Sequence, residues 1–257
     1  MNIVTDEKMW AERAIATHSF GQNPIQTLDR VARYYYQYEK CSKKDILGKL
    51  EQFLLRCDPS ISLVLWADQL ERISKSADRR PLIELDGVPV SSSELAVVNN
   101  LKGTIKQRLM FTLICLAKYE NFVRKNDSNW VKTEHKHIMA LANIVTSSKR
   151  QAQLLRELRD DGLIAFSKRV DNLNIKVCCI DDGQCELYIT DFRNLGNQYM
   201  MYRGGQYIHC EGCGLTVKKN SNAQRYCPSC AADMYSKRSK QSVMRHRAAS
   251  LYGNIPN

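Results

Sequence analysis

The sequence lacks any apolar run long enough to cross a bilayer. Its longest mainly apolar stretch, Leu109–Ala117, covers nine residues, whereas a spanning helix needs about 20. It also lacks a basic start followed by an apolar segment, because Met1–Glu7 mixes polar, acidic and apolar side chains. These absences predict a cytoplasmic protein with no membrane partner. In that compartment the ten cysteines are expected to be thiols or metal ligands rather than disulfides.

The motifs of several enzyme classes are missing as well. The sequence has no Walker phosphate loop, no glycine-rich dinucleotide turn and no His-Glu-x-x-His segment. His135 and His137 are two residues apart, so on a helix they would point in different directions. We therefore predict a protein that is not an enzyme. One alternative stays open, a metal-dependent nuclease whose magnesium ligands would come from four acidic residues, Asp181, Asp182, Glu186 and Asp191.

Two Cys-x-x-Cys pairs lie near the C-terminal end of the chain. Cys210 and Cys213 form the first pair, Cys227 and Cys230 form the second, and thirteen residues separate the two. Each pair can bring two thiolates to one side of a tight turn, and the intervening loop lets the second pair complete a tetrahedral site. Four sulfur ligands leave no open coordination position, so the pattern predicts a structural Zn²⁺. Gly214 follows the first pair, where a side chain is expected to crowd the turn.

Positive charge is concentrated in two blocks of the chain. Residues 101–180 hold 15 basic and 7 acidic side chains, giving +8, and residues 202–257 hold 9 and 2, giving +7. Residues 1–100 are close to neutral at −1, and the short block 181–201 is acidic. Two basic blocks indicate a polyanionic partner, and the partner that we predict is DNA.

Apolar periodicity and chain breaks predict a fold that is mainly α with small β elements. Residues 1–80 carry apolar side chains at helical spacing and are expected to form an N-terminal helical bundle. Residues 81–104 are expected to form a hairpin and linker, with the turn at Asp86-Gly87. Ser91, Ser92 and Ser93 with Glu94 then offer an N-cap for the next helix. A winged helix-turn-helix domain is expected over residues 105–200. A C-terminal four-cysteine zinc ribbon with a basic helical tail is expected over residues 205–247.

The order of predicted elements underlies the winged-helix expectation. Three helices are predicted, over Ile105–Tyr119, from Thr133 to Asn143, and over Ser148–Asp160. Gly162 is expected to end the third of these helices. Three strands are then predicted, over Leu163–Phe166, Ile175–Ile180 and Glu186–Thr190. Helix, helix, turn, helix, strand, loop, strand is the order of a winged helix-turn-helix domain.

Two stretches of the sequence resemble known families. The segment Leu154–Ile164 is similar to the end of the recognition helix and the first wing strand in bacterial winged-helix regulators and replication initiators. That resemblance implies a third helix in the DNA major groove and a wing loop near the minor groove or the phosphates. The chain as a whole resembles uncharacterised proteins of phages and integrated mobile elements of low-GC Gram-positive bacteria. This resemblance is carried by Leu163–Asn174, the four cysteines and Arg225-Tyr226. This second resemblance implies an architecture rather than an activity.

The third predicted helix has a distinct buried side, which holds Gln151, Leu154, Leu155 and Leu158. The side chains predicted to face DNA lie away from it, in the N-terminal half of the helix: Lys149, Arg150, Gln153 and Arg156. In the major groove, arginine favours guanine and glutamine favours adenine. Lys168 and Arg169, at the start of the predicted wing loop, are expected to contact phosphates.

Basic side chains in and after the predicted ribbon are also expected to contact phosphates: Lys218, Lys219, Arg225, Lys237 and Arg238. The function we predict is that of a DNA-binding protein of a phage or mobile element, either a transcription regulator or a replication-associated factor. Its DNA partner is expected to be double-stranded. Because zinc ribbons also dock onto proteins, an adaptor for phage or host replication or transcription proteins stays open as an alternative.

Overall fold

The computed structural model describes residues 3–21, 23–168 and 174–252, with the side chains of all of these except 237, 241 and 245–252. The chain is mainly helical with small antiparallel sheets. It divides into two compact units, which are described one at a time. The helical unit comprises Asn2–Val88 with Tyr188–Thr190, and the C-terminal unit comprises Pro89–Leu187 with Asp191–Asn257. Among the described residues, no helix combines the length and the apolar character that crossing a membrane requires.

The described helices are α1 Glu7–Thr17, α2 Pro24–Gln37, α3 Lys43–Cys57, α4 Leu63–Ser76, α5 Ser92–Asn100, α6 Thr104–Arg124, α7 His135–Leu141, α8 Ser148–Asp160, α9 Leu195–Tyr202 and α10 Pro228–Tyr252. The described strands are β1 Val88–Ser91, β2 Trp130–Val131, β3 Ile164–Phe166, β4 Ile175–Val177, β5 Cys185–Ile189, β6 Tyr207–His209 and β7 Thr216–Lys218.

Helices α1–α4 pack around one apolar core in the helical unit. Side-chain caps fix where the first three begin, because Asp6 and Asn23 each accept a backbone N–H from the first turn and Ser42 forms a capping box with Asp45. The core that these helices share includes Leu28, Val31, Leu50, Phe53 and Leu70. The helical character predicted for this part of the chain is therefore confirmed.

A buried ion cluster ties α1 to α2. The Glu7 carboxylate lies 2.7 Å from Nη1 of Arg33 and 3.0 Å from Nε of Arg30, and it accepts the backbone N–H of Ile83 at 3.0 Å. Burial alone would raise the pKa of Glu7, but the hydrogen bonds and the charge of Arg33 outweigh it and lower that pKa. Arg33 is 2% exposed, so each of these two buried charges depends on the other.

Helix α6 lies at the centre of the C-terminal unit. Every residue from Leu109 to Ala117 is buried, whereas a surface helix buries only one stripe. The run is hidden on all sides because α5, α7, α8, α9, β2 and β4 pack around it. Aromatic pairs join α9 and the segment before it to α6, with ring centroids 5.2 Å apart for Phe111 and Tyr199 and for Tyr119 and Phe192.

A three-stranded antiparallel sheet in the order β2-β4-β3 packs beside α6. Its register pairs Val131 with Ile175 and Ala165 with Lys176. The predicted strand over Glu186–Thr190 exists as β5, but it pairs with β1 and not with β4. Strand β4 already has a partner on each side, so no edge of it is free for a further strand.

The hairpin predicted at Asp86-Gly87 is wrong, because β1 pairs with β5 and Glu84 forms only an isolated bridge with Asp6. Gly87 serves a close approach instead, since a Cβ there would lie 2.6 Å from the Tyr188 ring. Pro89, which has no N–H to donate, fits a strand with a single partner. The predicted cap is confirmed, as Ser91 and Glu94 form a capping box at the start of α5.

We expect Glu7→Ala to lower the free energy of unfolding of the helical unit by about 3–5 kcal/mol, because it leaves the buried Arg33 with only the more exposed Asp29 as an anionic partner. Urea unfolding followed by circular dichroism would measure this change. Glu71→Ala is the matched control, since Glu71 pairs with Lys75 on the surface, where the two side chains are 54% and 66% exposed. Equal losses of stability for the two variants would contradict the assigned role of the cluster.

Candidate metal centre and nucleic-acid interface

The four cysteines of the two Cys-x-x-Cys pairs converge at one point. Cys210 directly follows β6, and Cys213 lies in the turn towards β7, while Cys227 precedes α10 and Cys230 lies in its first turn. Their sulfur atoms all lie within 4.8 Å of one another, and those of Cys213 and Cys227 are 3.8 Å apart. A tetrahedral site with metal–sulfur bonds of about 2.3 Å has sulfur–sulfur distances of about 3.8 Å. The cluster could therefore hold a metal ion.

Backbone groups prepare these sulfurs to carry negative charge. The N–H of Cys227 donates to Sγ of Cys210 at 3.2 Å, and the N–H of Cys230 donates to Sγ of Cys227 at 3.5 Å. Burial would raise the pKa of Cys210, but the N–H groups of Cys227, Gly212 and Cys213 lower it to about 6. The hydrogen bonds of Cys230 with Cys213 and Cys227 instead raise the pKa of Cys230 to about 12. Four adjacent thiolates still repel each other, so a bound cation is what would let all four ionise.

Glycines shape the turn of the first pair, although not as the sequence predicts. Gly214 has no crowded neighbour, since a Cβ there would lie 3.8 Å from Nη2 of Arg193; its φ of +75° is what favours glycine. Gly212 is the crowded position, because its Cβ would lie 3.1 Å from Sγ of Cys230. Any side chain at Gly212 would press on a candidate metal ligand.

Polar side chains of α9 and the segment before it hold the β6–β7 hairpin. Arg193 donates to the carbonyl of Cys213 at 2.7 Å and is itself held by Asp191 at the same distance. Asn194 and Asn197 both donate to the carbonyl of Thr216, at 3.2 and 3.1 Å. The candidate metal centre is thus fixed to α9 through its own backbone. Sequence reasoning missed these three side chains, because no local pattern marks a contact to a backbone carbonyl about 20 residues away.

Helix α8 has the bounds and the buried side that the sequence predicts. Ser147 caps it by accepting the N–H of Arg150 at 3.4 Å, and Leu154, Leu155 and Leu158 are buried. Lys149, Gln153 and Arg156 are exposed on the opposite side. Among the described residues, Lys149 and Arg156 form no ion pair, so both cations are available to a partner.

The other side chains predicted to contact DNA differ in their exposure and in their ion pairs. Arg150 is half-buried and forms an ion pair with Glu157 at 2.8 Å, so it is partly engaged within α8. Lys168, Lys218, Arg225 and Arg238 are exposed, and Lys219 is half-buried. Arg169 and the side chain of Lys237 lie outside the described residues. Arg225 is only weakly paired, with its Nε 3.9 Å from Glu211.

The acidic residues considered for a magnesium site are mostly engaged within the protein. Asp181 accepts the hydroxyl of Ser91 at 2.6 Å, the hydroxyl of Ser93 and the N–H of Gly183. These bonds, led by those from the two serines, lower the pKa of Asp181 to about 2. Asp191 holds Arg193 as described above. In the part of the chain that the structure describes, the cysteine cluster is the only group of three or more candidate ligands with converging atoms.

Glu94 and Lys118 complete the surroundings of Asp181. Glu94 is fully buried, and one of its oxygens lies 2.9 Å from Nζ of Lys118. Its other oxygen accepts the backbone N–H of Asp181 at 3.1 Å, and Lys118 donates to the carbonyl of Asp181 at 3.0 Å. The Asp181 segment is therefore bound to α5 and α6 by charged groups from both.

Comparisons with protein-family models, with curated proteins and with solved structures gave no match to this chain.

We expect Cys213→Ser to reduce the metal content of the purified chain and to unfold only residues near 205–235. The reason is that three thiolates do not close a four-coordinate site. Mass spectrometry of the bound metal and hydrogen exchange would report the two effects separately. Cys185→Ser, at an exposed cysteine outside the cluster, is the control. Unchanged metal content in Cys213→Ser would refute the assignment of the ligand.

We expect the stabilising effect of Asp181 to depend on pH. Its folded-state pKa of about 2 lies below the ordinary value of 3.8, so its stabilisation is present above that ordinary value and is lost as the pH falls towards 2. Thermal melts should show that Asp181→Asn is less stable than the wild type near neutral pH and that the gap narrows in acid. Asp182→Asn, at the exposed neighbour, should show no such convergence. A gap that stays constant down to acidic pH would contradict this origin of the stability.

Proposed function

We propose that the protein binds double-stranded DNA by placing α8 in the major groove, as a winged helix-turn-helix protein does. The order α6, β2, α7, α8, β3, β4 and the sheet order β2-β4-β3 support this proposal. In that fold a short strand after the first helix joins the hairpin that follows the recognition helix. Helices α7 and α8 are then the helix-turn-helix pair, and β3 and β4 are the strands that flank the wing.

The exposed face of α8 is the observation that carries the proposal. Lys149, Gln153 and Arg156 follow one another on the side away from the leucines, starting at the first turn of the helix. Recognition helices meet base edges with their N-terminal half, which in α8 holds Lys149 and Gln153, and Arg156 follows just past the middle of the helix. This face carries two side chains that can recognise different bases. The amide of Gln153 can pair with adenine, and the guanidinium of Arg156 can pair with guanine.

We further propose that the four-cysteine cluster holds a structural Zn²⁺. Four thiolates in tetrahedral reach favour zinc, and a site closed by four protein ligands leaves no position for a reacting water. When bound, the ion would supply charge compensation and would join the β6–β7 hairpin to the start of α10. Lys218, Arg225 and Arg238 are exposed around this region, and they would contact phosphates of the same DNA.

A second candidate function, docking onto another protein, has one observation in its favour. Helix α10 leaves large apolar side chains in solvent, with Tyr235 76%, Val243 50% and Met244 70% exposed. Aromatic residues and methionine are enriched at protein interfaces. This candidate predicts that capture of a protein partner depends on α10, whereas the DNA-binding proposal depends on α8.

We expect the double variant Lys149→Ala, Gln153→Ala to lose sequence preference while it keeps its fold. Duplexes selected from a random pool by the wild type provide the probe, and dissociation constants are then measured for selected and scrambled duplexes. Each lost base contact should cost about 1–3 kcal/mol on the selected duplex and much less on the scrambled one. Affinity should also fall steeply with salt, because contacts with phosphates release counterions.

The matched control is Lys102→Ala, Gln184→Ala, which removes an exposed lysine and an exposed glutamine elsewhere in the C-terminal unit. It should keep both the affinity and the sequence preference of the wild type. The same loss in both double variants would mean that net charge, and not the face of α8, determines binding. Absence of duplex binding by the metal-loaded wild type at low salt would refute the proposal itself.

A further inference from the structure

The helical unit carries a groove that the proposed DNA contact does not use. It lies along α2 and α4 and the turn after α4, and it encloses about 550 Å³. Its walls are formed by Ile25, Gln26, Asp29, Gln69, Arg72, Ile73, Lys75, Ser76, Arg79 and Arg80. Small-molecule sites in proteins commonly have volumes of about 300–1,000 Å³. The groove is therefore large enough for a ligand of the size of a nucleotide.

Positive charge dominates this groove, although residues 1–100 as a whole are close to neutral. Four of its lining side chains are cations and one, Asp29, is an anion. The carboxylate of Asp29 is already used, because it lies 3.0 Å from Arg33 and 2.9 Å from Arg80. Lys75 pairs with Glu71 at 2.7 Å, so the excess positive charge of the groove comes from Arg72 and Arg79.

Two arginines of the groove form no ion pair in the described part of the chain, although the pKa of Asp78, lowered mainly by its hydrogen bond with Lys43, is lowered in part by the charge of Arg79. Arg72, on α4, and Arg79, in the turn that follows, are exposed and form none of the ion pairs found there. The backbone that carries them is ordered by packing, since Ile73 and Ala77 between them are buried. Two guanidinium groups held on one wall offer a forked set of N–H donors, which matches the oxygens of a phosphate.

The rest of the groove suits a planar organic group better than a second anion. The half-exposed Ile25 provides apolar surface, and Gln26 and Gln69 provide amide groups that both donate and accept hydrogen bonds. A nucleobase has this combination of an apolar face and a hydrogen-bonding edge. The charged part and the amide-lined part lie within the same groove.

We propose that this groove binds a nucleoside phosphate, with Arg72 and Arg79 on the phosphate and with Gln26, Gln69 and Ile25 on the base. The ligand could be a free nucleotide or one nucleotide unit of a single-stranded nucleic acid, because both present this chemistry. The proposal concerns a site in the helical unit and does not depend on α8 or on the metal centre.

Isothermal titration of the full-length, metal-loaded protein tests the proposal, with ATP, AMP, adenosine and inorganic pyrophosphate as separate probes. We expect both nucleotides to bind and adenosine to bind much more weakly. Arg72→Ala, Arg79→Ala should weaken nucleotide binding by about tenfold or more, since each lost contact is charge-assisted. Arg13→Ala, Lys44→Ala removes two exposed cations of the same unit outside the groove and should leave the affinity unchanged.

A second pair of measurements isolates the base contact. Ile25→Ser, Gln26→Ala should weaken binding of ATP without changing the affinity for pyrophosphate. If pyrophosphate binds as tightly as ATP, or if the Arg13, Lys44 control loses as much affinity as the Arg72, Arg79 variant, the proposal is wrong. Thermal melts establish that each variant is folded, and they make a loss of affinity attributable to the site.

Separate arms of the same titration distinguish the two sources of the ligand. Short single-stranded oligonucleotides are added to the Lys149→Ala, Gln153→Ala protein, so that contacts of these two side chains with bases do not contribute. Binding of oligonucleotides that ATP displaces would identify a nucleic-acid strand as the source, and binding of ATP alone would identify a free nucleotide. Failure of every nucleotide and oligonucleotide to bind overturns the site while it leaves the duplex-binding proposal intact.

Discussion

The constraint on which the C-terminal unit depends is the complete burial of one stretch of α6. A helix that is apolar on every side must have neighbours on every side, and burial of each large apolar side chain contributes about 1.5–3 kcal/mol. Strands β2 and β4 and helices α5, α7, α8 and α9 supply those neighbours. Helix α8 contributes its leucines to this packing, and its orientation follows from them. The side chains opposite, Lys149, Gln153 and Arg156, are left in solvent as a consequence.

Charged groups on either side of that buried stretch hold the surrounding loops. Lys118 binds Glu94 and the carbonyls of Pro89 and Asp181, and Arg108 donates to the carbonyl of Asn143. A count of lysines and arginines along the sequence therefore overstates the charge that is available to a partner. The cations available to a partner are those that form no such contacts within the protein. Only the three-dimensional structure identifies them.

The sequence predicted best what local chemistry decides. The buried side of α8 follows from the spacing of its leucines, and the convergence of the four cysteines follows from the spacing of the two cysteine pairs. Contacts between distant segments could not be predicted in this way. The pairing of β1 with β5 joins segments that are far apart in sequence, and β2 has only two residues and so no period to detect. The role of Arg193 likewise depends on a carbonyl that only the fold brings near.

The candidate metal centre and α8 are attached to different parts of the C-terminal unit. Cys227 ends the loop after β7 and accepts the N–H of Cys230 in the first turn of α10, so closure of the cluster also starts that helix. The hairpin before it is held by Arg193, which precedes α9, and by Asn197 within α9, and α9 packs on α6. Helix α8 packs on α6 separately. If the cluster holds a metal ion, loss of that ion should release the start of α10 and the hairpin turn while it leaves the exposed face of α8 in place. The proposed DNA contact through α8 and a contact through α10 can then be removed one at a time.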